Sequence, residues 1–137
     1  MATWDEVRRA ASALPEVTES GHGQGGGVAW RVRGVMFAWE RALRRTDAEA
    51  LAAAGAEVPQ VPILAVRVPD LEVKDALIAA SPRVYFTIAH FDGYKAVLVR
   101  LPSIDEAELA ELVAQAWLCR APKRLAKQWL AERSAPA

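Results

Sequence analysis

Apolar residues recur along this chain with two periods. Trp4, Val7, Ala11 and Leu14 return at helical spacing, behind a T-x-x-E box at Thr3 and Glu6 and before Pro15, and predict a first helix. A glycine-rich connection from Glu16 to Gly27 follows. Val28, Trp30 and Val32 then alternate with Ala29, Arg31 and Arg33, the period of a half-buried strand. If Arg33 and Gly34 are the two loop residues of a hairpin, Val32 faces Val35, Trp30 faces Phe37 and Val28 faces Trp39. One face is then wholly apolar. The other carries Arg31, Arg33, Met36 and Ala38, as in an antiparallel sheet with one side on a core.

Thr46 and Glu49 form a second box before an alanine-rich stretch ending at Gly55, which predicts a short helix. Ile63 to Val68 reads as a strand, and Asp70 is placed to cap a helix that runs through Ala80 and stops at Pro82. Val84 to Phe91 and Tyr94 to Leu101 flank Asp92-Gly93, a dipeptide suited to the positive φ angles of a type I′ hairpin turn. Pairing Phe91 with Tyr94 gathers Val84, Phe86, Ile88, Val97, Val99 and Leu101 on the core face. The opposite face, with Tyr85, Phe91, Tyr94 and Leu98, is too apolar for free exposure and is expected to be partly covered. Ser103 with Glu106 is expected to cap a long helix whose buried stripe is Leu109, Leu112, Val113, Ala116 and Trp117, and Pro122 opens a last helix.

The order α, β, β, α, β, α, β, β, α, α contains no repeated strand–helix–strand phosphate-binding unit. It predicts an α+β fold, an antiparallel sheet of two β-hairpins plus a central strand packed by helices. A length of 137 residues fits one domain, here residues 1–133, with a frayed tail at 134–137. Hydrophobic residues make up 53% and charged residues 25%, which excludes a disordered or fibrous chain. No apolar run approaches the roughly 20 residues of a membrane span, so no membrane role is expected. The single Cys119 cannot close an internal disulfide and no secretory leader is recognised, which favours the cytoplasm.

Candidate chemistry is sparse. Gly21, Gly23 and Gly26 spell G-x-G-x-x-G, but between a helix and a strand, the reverse of a dinucleotide loop, so a flexible loop is preferred. His22, His90 and Cys119 are too few for a structural zinc site, and no H-E-x-x-H spacing exists. His90 and Asp92 read as turn residues, with His90 facing Lys95. Arg120 beside Cys119 could lower its thiol pKa, but with no assignable base an inert helical cysteine is preferred. Neither G-x-S-x-G nor S-x-x-K occurs. No enzyme activity, cofactor or metal is therefore expected.

Seventeen Lys and Arg balance seventeen Asp and Glu, but the balance is local nowhere. Ser103 to Cys119 carries only acids, Arg120 to Arg133 carries five bases against Glu132, and Arg31 to Arg45 carries five arginines against Glu40. At 100° per residue Arg120, Lys123, Arg124 and Lys127 share an arc of about 100°, with Leu125 and Trp129 pointing away. That is an amphipathic helix with a basic face. A solvated face is the ordinary reading, and phosphate contact is the functional one.

The segments W-R-V-R-G-V-M-F-A-W at Trp30 to Trp39 and A-L-P-E-V-T-E-S at Ala13 to Ser20 resemble the MmcQ/YjbR family. So do V-R-V-P-D-L at Val66 to Leu71, H-F-D-G-Y at His90 to Tyr94 and A-W-L-C-R-A-P-K-R-L at Ala116 to Leu125. In order and spacing they span roughly residues 3 to 130. The resemblance implies a YjbR-like, secretion-chaperone-like α+β fold described as a double-wing DNA-binding module. Val35 stands where the family commonly has a lysine after the hairpin glycine, whereas Pro122-Lys123-Arg124 is retained. The expectation is contact with double-stranded DNA phosphates by Arg31, Arg33, Arg120, Lys123, Arg124 and Lys127, with the hairpins as wings. The alternative is a protein-interaction or homodimer module using Tyr85, Phe91, Tyr94 and Leu98, with no nucleic-acid role.

Overall fold

The computed structural model describes residues 2–21 and 27–134. Residues 22–26 of the G-x-G-x-x-G run, His22 among them, and the last three residues of the expected tail lie outside them. Helix α1 (Trp4–Ser12) begins where the Thr3 carbonyl accepts the amides of Glu6 and Val7, both at 3.1 Å. Thr3 Oγ1 donates to Glu6 Oε1 at 3.3 Å, so the expected box closes between side chains rather than onto the backbone. Strand β1 (Val17–Gly21) occupies part of the connection expected to be a loop, and pairs antiparallel with β2 (Val28–Val32). Its Thr18, Glu19 and Ser20 are exposed, as suits an edge strand, and so carry no hydrophobic period.

The Arg33-Gly34 turn forms as expected, with φ of 47° and 81°, and joins β2 to β3 (Val35–Glu40). Val32 faces Val35 and Arg31 faces Met36, but Trp30 then faces Ala38 and Ala29 faces Trp39. One extra residue, Phe37, bulges out of the ladder. Successive residues of such a bulge can share a face, and Phe37 and Ala38 both enter the core on the α1 side. Trp39 is turned to the opposite face. The expected pairing of Trp30 with Phe37 and Val28 with Trp39 is corrected accordingly.

Helix α2 (Arg45–Ala53) starts one residue before the expected Thr46 cap, because Asp47 Oδ2 accepts the Arg44 amide at 2.9 Å. Strand β4 (Ile63–Arg67) leads to α3 (Leu71–Ala80), which Asp70 caps as expected, Oδ1 accepting the Val73 amide at 2.9 Å. The second hairpin departs from expectation. Strand β5 is only Tyr85–Phe86, and it pairs Tyr85 with Val99 and Phe86 with Leu98 on β6 (Ala96–Arg100). A 3₁₀ turn at Ala89–Phe91 takes the chain out of the sheet before Asp92-Gly93. There Asp92 has φ −58° and ψ 127° and Gly93 has φ 73°, a type II turn closed by the Tyr94 amide on the Phe91 carbonyl at 3.0 Å. The anticipated face therefore splits: Val84, Val97, Val99 and Leu101 keep company with Tyr85, while Phe86 and Ile88 go to the other side.

Helix α4 (Glu106–Arg120) is capped by Asp105, whose Oδ1 accepts the Glu108 amide at 2.9 Å, and not by Ser103, which lies in a 3₁₀ turn with Pro102. Its stripe is buried as expected. Helix α5 (Lys123–Ser134) follows Pro122. The result is an α+β fold with one six-stranded antiparallel sheet, order β1-β2-β3-β4-β6-β5. Under α1 and α4 the sheet buries Trp30, Val32, Phe37, Leu64, Val66, Val97 and Val99 against Trp117. A smaller core on the other face joins Ile63, Ala65, Phe86, Ile88, Phe91 and Leu98 to Leu43 and Leu51.

Candidate nucleic-acid interface and the opposite cleft

The apolar side of α5 rests on the helix-side core through Leu125 and Trp129, with the Trp129 ring 5.3 Å from that of Trp117. This docking turns Arg120, Lys123, Arg124 and Lys127 to solvent, and all four are exposed. None of them has an ion pair among the described residues. Arg133 does: its Nη2 meets Glu111 Oε2 at 2.6 Å, tying the end of α5 back to α4 and holding the Glu111 carboxyl below the usual carboxylate range. Lys123 and Arg124 also sit at the amino end of α5, where the helix dipole adds to their positive potential instead of offsetting it.

The two hairpin arginines separate. Arg33 is linked to the α4–α5 corner by a short relay: Trp117 Nε1 donates to the Pro15 carbonyl at 3.1 Å, and the next residue, Glu16, accepts Arg33 Nε at 2.7 Å. Glu16 lies in the left-handed region, φ 56°, which directs its side chain to the turn. The hydrogen bond from Arg33 lowers the Glu16 pKa and raises that of Arg33, so the guanidinium is charged but compensated. Arg31 alternates with Trp30 and Val32 and lies on the sheet face away from α1, α4 and α5. There it donates to Ser20 Oγ and approaches Met36 Sδ at 4.0 Å. The structure thus ties Arg33 through Glu16 and Pro15 to Trp117 of α4 and leaves Arg31 on the far side of the sheet. Sequence could not distinguish the two, because the alternation that sorts them says nothing of where α5 docks.

The alternative surface of Tyr85, Phe91, Tyr94 and Leu98 is not presented together. Tyr85, Phe91 and Leu98 are buried, and Tyr85 and Leu98 point to opposite faces. Tyr85 instead donates from its hydroxyl to Glu108 Oε2 at 2.5 Å, and burial first, then this bond, raises its pKa. His90 is exposed in the 3₁₀ turn, its ring 6.2 Å from that of Phe91, and does not oppose Lys95 across a ladder. Burial pushes the Cys119 thiol pKa up, against weaker opposing fields from Arg67 and Arg120, so the lowered-pKa possibility has no basis here. Among the described residues no three His, Cys, Asp or Glu side chains are grouped to hold a metal, and no helix is long and apolar enough to cross a membrane.

Sequence reasoning missed the feature on the far face. Beside Arg31's neighbour Met36, a cleft of ≈ 650 Å³ is lined by Trp39, Arg41, Arg44, His90, Phe91 and Tyr94, among others. Trp39 reaches it through the bulge at Phe37, and Phe91 and Tyr94 through the type II turn, neither of which leaves a periodic signal.

A six-stranded antiparallel sheet packed by helices makes this an α+β fold, and comparison with known proteins gives the family. The sequence model of the YjbR family matches residues 12–119, and the chain belongs to the YjbR family. It is 51% identical over 131 residues to uncharacterised proteins of Mycobacterium bovis (Mb2600) and Mycobacterium tuberculosis (Rv2570), covering 96% of this chain and 98% of each relative. The crystal structure of Deinococcus radiodurans protein DR2400, with a DUF419 domain, superposes with a TM-score of 0.65 at 19% identity. That superposition covers 99% of this chain and 91% of DR2400, and it shows the fold.

Proposed function

We propose that the protein binds double-stranded DNA through phosphate contacts at the α4–α5 corner, using Arg120, Lys123, Arg124 and Lys127. The observation that carries this reading is that four neighbouring cations are exposed with no acidic partner among the described residues, in a chain of zero formal net charge. Free cations on one arc suit the regular negative charge of a duplex backbone. The Arg33-Gly34 turn supplies a wing at the same corner, restrained by Glu16, whereas Arg31 has no part in the contact. Side chains that read base edges are not required, so the binding is largely independent of sequence.

Fluorescence anisotropy with a labelled duplex tests it. Four phosphate contacts predict a log–log salt slope near −3.6, or about a hundredfold loss of affinity between ~50 and ~200 mM salt. Lys123→Glu with Arg124→Glu should abolish binding at low salt while leaving the circular dichroism unchanged. No binding at low salt, or binding indifferent to that double variant, overturns the reading.

A further inference from the structure

The cleft on the far face has the makings of a small-molecule site. Its volume of ≈ 650 Å³ lies within the roughly 300–1,000 Å³ of ligand pockets. Three rings form its apolar part: the centroids of Trp39 and Phe91 are 6.4 Å apart, those of Trp39 and Tyr94 6.4 Å, and those of Phe91 and Tyr94 5.1 Å. Phe91 is buried beneath, but Tyr94 is 40% exposed and Trp39 only half-buried, so flat aromatic surface faces the opening.

The polar side of the cleft carries two arginines, Arg41 and Arg44. Arg41 is 8% exposed, its guanidinium 5.7 Å from the Phe91 centroid. Nη1 donates to the Ala42 carbonyl at 2.5 Å, and Nη2 pairs with Asp47 Oδ2 at 3.0 Å. Arg41 is thus a buried, ion-paired guanidinium behind the ring cluster that adds positive field to the cleft. Arg44 stands at the rim with an exposed guanidinium that has no ion pair, its backbone fixed by Asp47. Glu40 is the carboxylate on the wall, and its Oε1 accepts the Val28 amide at 3.4 Å. Its charge disfavours a dianion such as a phosphate monoester and leaves a monoanion as the better match.

We propose that this cleft binds a planar aromatic carboxylate, its ring against Trp39 and Tyr94 and its carboxylate on the exposed guanidinium of Arg44, in the positive field of Arg41. Planar, forked guanidinium donors suit a carboxylate. Offset or edge-on packing against the rings orients the ligand's plane. The site is independent of the α4–α5 corner, which lies on the other side of the sheet.

The test uses 2-naphthoate as probe and its neutral isostere 2-naphthamide, titrated into the full chain and followed by calorimetry and by the Trp39 indole N–H signal. Loss of one charge-assisted contact predicts binding of the amide about tenfold weaker than that of the carboxylate. Arg44→Ala should weaken naphthoate by a similar factor. Tyr94→Ala, also at an exposed position, should weaken both probes, with unchanged circular dichroism in each variant. The proposal is overturned if millimolar naphthoate leaves the Trp39 signal unmoved. It is also overturned if the amide binds as well as the carboxylate, or if neither variant changes the affinity.

Discussion

Lys74 Nζ donates to the carbonyl oxygen of Phe91 at 2.7 Å, from a helix 17 positions earlier in the chain. A second bond, 2.9 Å, goes to the Tyr94 carbonyl, so one ammonium holds both ends of the Asp92-Gly93 turn. The residue is 4% exposed, and burial lowers its pKa against the opposing fields of Asp92 and Asp75. Satisfying a desolvated ammonium with two carbonyls draws the 91–94 segment onto α3 and out of the ladder. That displacement puts the Phe91 ring in the second core and Tyr94 at the cleft.

Lys74→Met keeps the aliphatic stem and removes both bonds. The two carbonyls lose a donor, which should cost about 1–3 kcal/mol in urea denaturation. The change in stability should be accompanied by altered packing of Tyr94 on Trp39, read as a shift of the Trp39 indole N–H signal. An unchanged denaturation midpoint would show that the turn holds itself.

Tyr85 ties stability to alkaline pH. Its folded-state pKa is raised above the ordinary 10.0 by burial and by the bond to Glu108. In the unfolded chain the phenol ionises near 10.0, while in the fold it stays neutral. Its contribution is therefore fully present below pH 10 and is lost as pH rises beyond it. Tyr85→Phe should cost about 1–2 kcal/mol at pH 8 from loss of a bond to a charged group. The gap to the parent protein should narrow above about pH 10, in denaturation curves taken at both pH values.

Glu16 restrains Arg33, so Glu16→Ala leaves a free cation beside the α4–α5 corner. Exposed ion pairs of this kind add little to stability, and thermal unfolding should barely move. Duplex affinity at low salt should rise, and the log–log salt slope should steepen by about one. If affinity is unchanged, the Arg33 turn is no part of the interface.

Trp129 is the anchor that orients the basic face. Trp129→Ala removes the 5.3 Å contact with Trp117 and should cost about 2 kcal/mol, less than the 3–5 kcal/mol of a fully buried tryptophan. Hydrogen exchange should quicken through α5 while the β4–β6 ladder stays protected. DNA affinity should fall although every cation is retained.

Several elements follow from local sequence. The α4 stripe, the Asp70 cap, the Arg33-Gly34 turn and the basic arc of α5 each depend on residues within a few positions of one another. Helix period, capping oxygens and positive-φ preference therefore suffice to determine them. The caps at Asp47 and Asp105 show the limit even here, since a neighbouring carboxylate can displace the expected Thr or Ser as the group that meets the free amides.

Tertiary structure decided what faces what. A period of two cannot register one extra residue, so the bulge at Phe37 and the transfer of Trp39 to the far face are fixed only when Ala38 and Trp39 pair with Val66 and Ala65 on β4. The polar edge strand β1 is a strand because β2 offers it hydrogen bonds, while its own side chains carry no hydrophobic period. The type II turn at Asp92-Gly93 is met by a partner remote in sequence, Lys74, whose ammonium donates to the carbonyls at both of its ends. Local residue preferences thus set the helices and most of the strands. The separation of a basic helix corner from an aromatic, arginine-lined cleft on the other side of the sheet is set by long-range pairing and by the desolvation of one lysine.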